Sequence, residues 1–177
     1  MGNDFKDLFG DWRPEEAGQA RGEGSQPEPE NRMRRVLNEK EVKVINVYEA
    51  SYEGPQGSPG SQQTTFVLLR DNRGREFRIF VLRDVAVAIS MAIENEAPDR
   101  PFTHDLIKSM LDRLGATVER VTIDDLWQDT FYAKITLNYQ NDTIDIDARP
   151  SDALAIGLRF RAPIYVAESV LDAAQQE

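Results

Sequence analysis

The sequence predicts an α+β fold, in which a mixed, largely antiparallel β-sheet is packed with helices behind a disordered, acidic N-terminal tail. Segments of strand-like and helical periodicity occur as three strands, two helices, three strands, a helix, a strand and a helix, without regular alternation. Turn sequences join consecutive strands, and the composition changes at residue 38. We therefore expect a tail over 1–38 and one folded domain over 39–177.

The tail is predicted from composition. Residues 13–31 are rich in Glu, Gly, Pro and Gln and have only Ala as apolar residues, so they cannot bury enough surface to offset the entropy of ordering. Ahead of them, the segment 5–12 has four apolar residues at helical spacing, namely Phe5, Leu8, Phe9 and Trp12. This segment is either a docking site for a protein partner that folds on binding or a chance apolar patch.

The first three strands are predicted over Glu39–Val81. EVKVINVYEA alternates, with Val42 and Val44, continued by Asn46, on its buried face. SYEGPQGSPGSQQ, residues 51–63, is rich in Gly, Pro and Ser and is typical of a long surface loop. TTFVLLRD and REFRIFV flank DNRG, where Gly74 permits a tight turn, and this pattern predicts a hairpin.

Two helices follow the hairpin. DVAVAISMAIEN is apolar almost all round, which predicts a largely buried helix with Asp84 as its N-cap. Thr103 is expected to cap the second helix, which ends at Gly115. Its apolar stripe consists of Leu106, Ile107, Met110, Leu111 and Leu114.

The rest of the domain returns to strands. TVERVTIDD, DTFYAKITL and TIDID have strand character, and YQND forms a turn between the last two. Ser151 is expected to cap the helix DALAIGLRF, which precedes the short strand PIYV and a final helix from about Glu168.

Composition excludes several classes of protein. The chain has no Cys, which excludes disulfides, Cys-ligated zinc and a thiol nucleophile and favours a reducing, cytoplasmic location. Since no apolar run approaches the ~20 residues of a membrane helix, we expect no membrane association. The start MGNDFKDLFGDW also lacks the layout of a signal peptide.

The charge of the chain limits how it could bind nucleic acid. The formal net charge is -10, and residues 39–177 hold 23 acidic and 15 basic side chains, because eight acidic and six basic ones lie in 1–38. Nucleic-acid affinity comes largely from Lys and Arg meeting phosphates. This balance excludes a broad basic surface but allows a local arginine cluster.

TIDIDARPSD contains the strongest candidate for a metal site. Strand periodicity places Asp145 and Asp147 on one face, about 7 Å apart, and Asp152 follows at the next helix start. Paired carboxylates could bind Mg²⁺ or Mn²⁺, which would polarise a phosphodiester and generate a nucleophile from water. Equally, the two strand residues could lie on a solvated face while Asp152 stabilises its helix N-terminus.

The segment THD supplies a second candidate site. His104 is the only His in the chain, so an imidazole base or imidazole metal ligand must be this residue. Asp105 lies beside it in the first helical turn, where negative charge is stabilised. Both are candidate catalytic residues, although a His near a helix start can instead be purely structural.

Two Arg-Pro pairs precede the predicted helices. Arg149, followed by Pro and Ser151, could form a phosphate site with the helix N-H groups, and Arg100 repeats the arrangement. The alternative is an ion pair of Arg149 with Asp105 or Asp152 that joins the two helix starts.

The β-hairpin contains the only positive stretch of the domain. Its bases are Arg70, Arg73, Arg75, Arg78 and Arg83. They could form a path for nucleic acid, with Arg75 and Arg78 as candidate substrate-binding residues. They could equally be solvated edge residues that discourage strand-to-strand aggregation.

RPFTHDL, DTFYA, IDARPSDALAI and APIYV, in this order and spacing, resemble the bifunctional nuclease (BFN) domain family over residues 40–172. The resemblance implies hydrolysis of DNA and RNA with little sequence preference. It implies a site among His104, Asp105, Asp147, Arg149, Ser151 and Asp152. One departure is that Leu82 and Val85 replace the Gly and Glu that this family usually has, so Asp84 could supply the missing acid.

The sequence thus predicts a single BFN-like domain with nuclease activity on DNA and RNA, assisted by a divalent metal. The alternative is a non-catalytic regulatory module that binds nucleic acid or protein on the same fold, which the acidic charge and Val85 favour. An exposed sheet edge would also allow a homo-oligomer.

Overall fold

The computed structural model describes residues 37–53 and 61–175, and this part of the chain forms a seven-stranded sheet with four helices. The predicted α+β class is confirmed. The predicted tail and its docking segment at 5–12 lie outside the described residues, apart from residues 37 and 38. Within that described part, no helix combines the length and the apolar character needed to cross a bilayer.

The order of helices and strands agrees with the sequence prediction. The strands are β1 (Glu39–Glu53), β2 (Ser61–Asp71), β3 (Glu76–Val81), β4 (Thr117–Trp127), β5 (Thr130–Tyr139), β6 (Asp142–Ala148) and β7 (Ile164–Ala167). The helices are α1 (Arg83–Glu94), α2 (Thr103–Leu114), α3 (Pro150–Phe160) and α4 (Glu168–Ala174). The strand order in the sheet is β3-β2-β1-β7-β4-β5-β6. All neighbours are antiparallel except β4 and β7, which run parallel.

The predicted loop over 51–63 is wrong at both ends. β1 continues to Glu53 and pairs there with Ser61 at the start of β2. The backbone groups of these polar residues find partners across the hairpin, and this cross-strand pairing outweighs their low strand propensity. Only residues 54–60 separate the two strands, and they lie outside the described residues.

A β-bulge changes the buried face of β1. The register shifts between Val44 and Asn46, so the alternation reverses within the strand. Val42 and Val44 face the core as predicted, but Val47 takes the inward place predicted for Asn46, which is exposed. Tyr48 is thereby placed on the outer face.

Helix α3 forms the centre of the core. Ala153, Leu154 and Ala155 are fully buried, and α3 packs against α1, α2, β4 and β5. Gly157 allows the closest approach, because a Cβ there would lie 2.7 Å from a methyl group of Val121 on β4. The chain that enters α3 is therefore held in a fixed position relative to the sheet.

The helix starts differ from the predicted N-caps. The N-cap residues are Leu82, Phe102 and Arg149 rather than Asp84, Thr103 and Ser151, and none makes a side-chain capping hydrogen bond. For α3 the reason is Pro150, whose fixed φ suits the first helical position.

The apolar faces of the first two helices are less covered than predicted. In α2, Ile107 and Leu111 pack on the core, whereas Leu106, Met110 and Leu114 are exposed. Helix α2 packs mainly against α3 and not against the sheet, so only one side of its apolar stripe is covered. In α1, Ala86, Ala88 and Ile89 are buried but Val87 is exposed.

Candidate functional site

Three segments that are distant in the sequence meet at one cleft. The first turns of α1, α2 and α3 surround a space of about 620 Å³. The lining residues are Asp84, Val85, Val87, Ala88, Pro101, Phe102, Thr103, His104, Arg149 and Asp152. The first turn of α2 lies at the cleft through Thr103 and His104, and the N-terminus of a helix favours negative charge.

Asp152 joins His104 and Arg149 inside this cleft. Its Oδ1 lies 3.3 Å from Nε2 of His104, and its Oδ2 accepts a 2.7 Å hydrogen bond from Nε of Arg149. His104 is only 8% exposed, whereas the Arg149 side chain is 69% exposed. No hydrogen bond joins the two terminal amino groups of Arg149 to any residue within 37–53 or 61–175. These amino groups can therefore bind an anion.

The charge state of Asp152 fixes the tautomer of His104. Partial burial raises the pKa of Asp152, but the hydrogen bonds from Arg149 and His104 outweigh burial and hold this pKa below its ordinary value. The pKa of Arg149 is raised by the same bond to Asp152. Because an ionised carboxylate only accepts hydrogen bonds, neutral His104 must carry its hydrogen on Nε2. Nδ1 is then the nitrogen that can accept a proton.

Asp105 anchors α2 to α3 rather than lining the cleft. Its Oδ1 accepts a 2.6 Å hydrogen bond from Nε of Arg159, and its Oδ2 accepts one of 2.9 Å from the N-H of Phe102. Burial raises the pKa of Asp105, but the hydrogen bonds from Arg159 and from the N-H of Phe102 together outweigh burial and leave this pKa below its ordinary value. The guanidinium of Arg159, whose side chain is 6% exposed, also donates to the carbonyl of Ala155.

Sequence reasoning missed Arg159. The available signal was a single charge near the end of the otherwise apolar helix segment ALAIGLRF, seven residues after Asp152 and so on the same helical face. A buried charge at such a position requires a partner. The sequence did not identify Asp105 as that partner.

The predicted three-carboxylate metal site is not assembled. On β6, Asp145 accepts hydrogen bonds from Lys134 at 2.8 Å and Thr136 at 2.6 Å, on neighbouring β5. Asp147 lies opposite Lys134 in the same ladder and does not line the cleft of Asp152. Within 37–53 and 61–175, no group of three or more His, Asp or Glu side chains is arranged to hold a metal ion. The alternative of a solvated strand face fits Asp147, which is exposed, whereas Asp145 is half-buried and bonded to two buried side chains of β5.

The two hairpin arginines have different environments. Arg75, predicted to bind substrate, is bound instead by Asp71 at 2.7 Å, Glu168 at 3.0 Å and Asp172 at 3.3 Å. Hydrogen bonds to Glu168 and Asp71 raise the pKa of Arg75. The ion pairs of Arg75 connect the hairpin to α4. Arg78 is exposed, and its guanidinium lies 5.3 Å from the centre of the Phe66 ring.

Ser151 and Arg100 lie outside the main cleft. Ser151 lines an adjoining pocket of about 300 Å³ together with Phe80, Leu82 and Thr130, and this pocket shares Arg149 and Val85 with the cleft. Arg100 is exposed in the loop before α2 and does not line the cleft. The cleft thus unites three of the predicted residues, His104, Arg149 and Asp152.

The segments that build the cleft lie within the part of the chain that matches a known protein family. The family model of the bifunctional nuclease domain matches residues 67–177, which include α1, α2 and α3 in full. The chain belongs to the bifunctional nuclease domain family. The resemblance of RPFTHDL and IDARPSDALAI is thereby confirmed at the level of the family.

Curated relatives of this BFN-domain protein occur in bacteria and plants. An uncharacterized protein of Mycobacterium tuberculosis is 39% identical over 132 residues, which are 74% of this chain and 73% of the relative. Bifunctional nuclease 2 of Oryza sativa subsp. japonica is 33% identical over 63% of this chain and 36% of its own length. Bifunctional nuclease 2 of Arabidopsis thaliana is 29% identical over 65% of this chain and 37% of its own length. The BFN-domain protein thus spans about a third of the matched plant proteins.

The departure at positions 82 and 85 falls beside the cleft. Val85, where the resemblance expects an acid, lines the cleft of this BFN-domain protein. Leu82 is the exposed N-cap of α1, in extended backbone that does not require Gly. Asp84 also lines the cleft, so an acid remains within one residue of the expected position.

Proposed function

We propose that this BFN-domain protein hydrolyses phosphodiester bonds in DNA and RNA at the cleft of His104, Arg149 and Asp152. The observation that supports the proposal most is the bonding of both His104 and Arg149 to one carboxylate, that of Asp152. This arrangement combines a base, a group that orients the base and a cation in one place. Family membership supports the same activity.

Each of the three side chains has a distinct role in the proposed reaction. His104 takes a proton from the attacking water at Nδ1, while Asp152 holds the ring and stabilises the imidazolium that forms. The water oxygen bonds to phosphorus, the bond from phosphorus to the leaving oxygen breaks, and that oxygen is protonated from solvent. The terminal amino groups of Arg149 bind the phosphate and stabilise its added negative charge.

These roles predict low sequence specificity. The cation, the base and the helix N-H groups act on phosphate and water, which are the same at every nucleotide. The 2′-hydroxyl of RNA is not required by any step, so both DNA and RNA are expected substrates.

A divalent metal is part of the proposal. Asp84 lines the cleft and could bind Mg²⁺ together with substrate phosphate and water, because one carboxylate is often enough for this ion. Asp152 fits less well, since its two oxygens are already bonded to His104 and Arg149. Such an ion would polarise the phosphate and lower the pKa of a bound water. The pair formed by Asp145 and Lys134 fits a metal less well, because a lysine ammonium already neutralises that carboxylate.

The test is cleavage of end-labelled single-stranded DNA and RNA by wild type and Asp152→Asn, each with Mg²⁺, with Mn²⁺ and with EDTA. Loss of the orienting carboxylate should lower kcat by about 10²-fold or more, since general base catalysis contributes about 10²- to 10⁴-fold. Asp112→Asn, which changes an exposed carboxylate on α2, is the matched control and should cut like wild type.

The same assay decides between the outcomes. Equal cutting by wild type and Asp152→Asn would overturn the residue assignment. Failure of the wild type to cut either polymer with either metal would overturn the nuclease proposal. Cutting that continues in EDTA would remove the metal from the proposal.

A further inference from the structure

Three aromatic side chains form a row across the outer face of the sheet. Tyr48 on β1, Phe66 on β2 and Phe80 on β3 are paired in register. Ring centres are 5.6 Å apart between Tyr48 and Phe66, and 6.1 Å apart between Phe66 and Phe80. Because neighbouring Val67 and Ile79 are buried, these rings point away from the core. We refer to Tyr48, Phe66, Phe80 and Arg78 as the aromatic face.

Burial does not account for this row. Cross-strand aromatic pairs can stabilise a sheet, but that effect depends on removing the rings from water. Phe80 is 64% exposed and Tyr48 is 41% exposed, so much of their apolar area remains in contact with solvent. Exposed aromatic rings in a row are suited to bind a flat, apolar partner.

The charge around the row is positive although the domain is acidic. The guanidinium of Arg78 lies 5.3 Å from the centre of the Phe66 ring. Arg78 lies in the adjacent row of the same face, where it pairs with Leu68. The row beyond it contains Lys43 and Arg70, which are paired in register, and Arg70 is bound by Glu76. The net charge of the chain is -10, so most of its surface repels anions. An anionic partner is therefore bound more favourably at this face than elsewhere on the surface.

The row is continuous with the cleft. Phe80 also lines the adjoining pocket of about 300 Å³, together with Leu82, Thr130 and Arg149. Arg149 lines both that pocket and the cleft of His104 and Asp152. A polyanion lying on the aromatic face could therefore reach the cleft along one surface.

We propose that the aromatic face binds single-stranded nucleic acid and leads it into the cleft. Bases stack on Phe80 and Tyr48 at the exposed ring surfaces, and Arg78 binds a neighbouring phosphate. A duplex is excluded from this mode, since its bases are already stacked and paired. The route into the cleft rests on the proposed nuclease function, but binding to the aromatic face does not.

Binding is measured by fluorescence anisotropy with a fluorescein-labelled 12-nucleotide DNA in EDTA, at 50 mM NaCl. Phe80→Ala is expected to raise Kd about tenfold, which is within the range for loss of one stacked base. Arg78→Gln is expected to raise Kd by about the same factor, because it removes one phosphate contact at low salt. Tyr139→Ala, on β5 next to the opposite edge strand, and Arg113→Gln, on α2, are the matched controls and should bind like wild type. Thermal unfolding of every variant verifies that it is folded.

A second substrate separates this proposal from the nuclease proposal. Bis(p-nitrophenyl) phosphate is too small to extend from the cleft to Tyr48, so its hydrolysis reports on the cleft. Phe80→Ala should lower kcat/KM about tenfold more for the 12-nucleotide DNA than for the small diester. If the wild type hydrolyses neither substrate but the binding pattern holds, the nuclease proposal fails and the aromatic face stands.

Three results would overturn the aromatic face as a binding site for single strands. One is wild-type affinity in both Phe80→Ala and Arg78→Gln. Another is equal affinity of the wild type for the single strand and for a 12-base-pair duplex. The third is a dimer, seen by light scattering, that Phe80→Ala dissociates, because the partner would then be a second copy of the chain.

Discussion

Arg75 and Arg149 carry the same charge but have opposite roles in the molecule. The guanidinium of Arg75 contacts three carboxylates and is largely enclosed. Arg149 binds one carboxylate through Nε and projects its amino groups into a cleft. An arginine that is saturated by carboxylates stabilises the fold, whereas one with free donors can recognise a phosphate.

The Asp71 carboxylate should make stability depend on pH in acid. Burial raises the pKa of Asp71, but hydrogen bonds from the Arg75 side chain and from two backbone N-H groups hold it below the ordinary 3.8. The folded pKa is depressed, so the stabilisation is present above pH 3.8 and is lost as pH falls through the lower folded value. Asp71→Asn should reduce the free energy of unfolding by roughly 2 kcal/mol at pH 7, with a smaller difference below pH 3.8.

Urea unfolding at a series of pH values measures this effect. The control Asp112→Asn removes an exposed carboxylate and should change stability by less than about 0.5 kcal/mol. A difference between Asp71→Asn and wild type that is constant from pH 7 to pH 3 would contradict the prediction.

Residues of the site were predictable where the signal was local. Arg149 and Asp152 lie within one turn of each other, so the helix start alone indicated that they could interact. Pairings between distant segments were not predictable, because a sequence does not show which of many acids meets a given base. Arg159 with Asp105, 54 residues apart in the sequence, is such a long-range pair.

At the scale of elements, α2 illustrates the limit of hydrophobic periodicity. The spacing of its apolar residues correctly predicted a helix but not how much of the apolar face is covered. Leu111→Ala should lower the free energy of unfolding by about 2 kcal/mol, because Leu111 packs against the core. Leu106→Gln, on the exposed side of the same stripe, should change it by less than about 0.5 kcal/mol.

Urea denaturation of the two single variants makes this comparison within one helix. Both substitutions replace Leu with a residue that tolerates a helix, so propensity contributes little to the difference. Equal destabilisation would show that Leu106 is buried in solution.

The order of elements was predictable but the order of strands was not. Local periodicity and turns such as DNRG give each strand and helix in sequence. The sheet, however, inserts β7 between β1 and β4, which requires pairing across more than a hundred residues. The extension of β1 and β2 over 51–53 and 61–63 was missed for the same reason, since pairing rather than composition stabilises it.

At the scale of the whole molecule, acidic side chains outnumber basic ones, and one exposed arginine lies at each of the two proposed sites. Arg149 is at the cleft and Arg78 is on the aromatic face. A protein that meets few phosphates releases few counterions, so its affinity depends weakly on salt. We therefore expect binding of single-stranded DNA to show a shallow salt dependence.

The expected slope of log K against log [NaCl] is about -1.5 to -2, since two or three phosphate contacts each contribute about -0.7 for a single strand. Arg149→Gln should make this slope shallower by about 0.7, because it removes one contact. Anisotropy titrations between 25 and 200 mM NaCl in EDTA measure both values, with Arg113→Gln as a control that should keep the wild-type slope. A slope steeper than about -4 would require six or more phosphate contacts, and so a broad basic surface that the charge distribution of this domain does not provide.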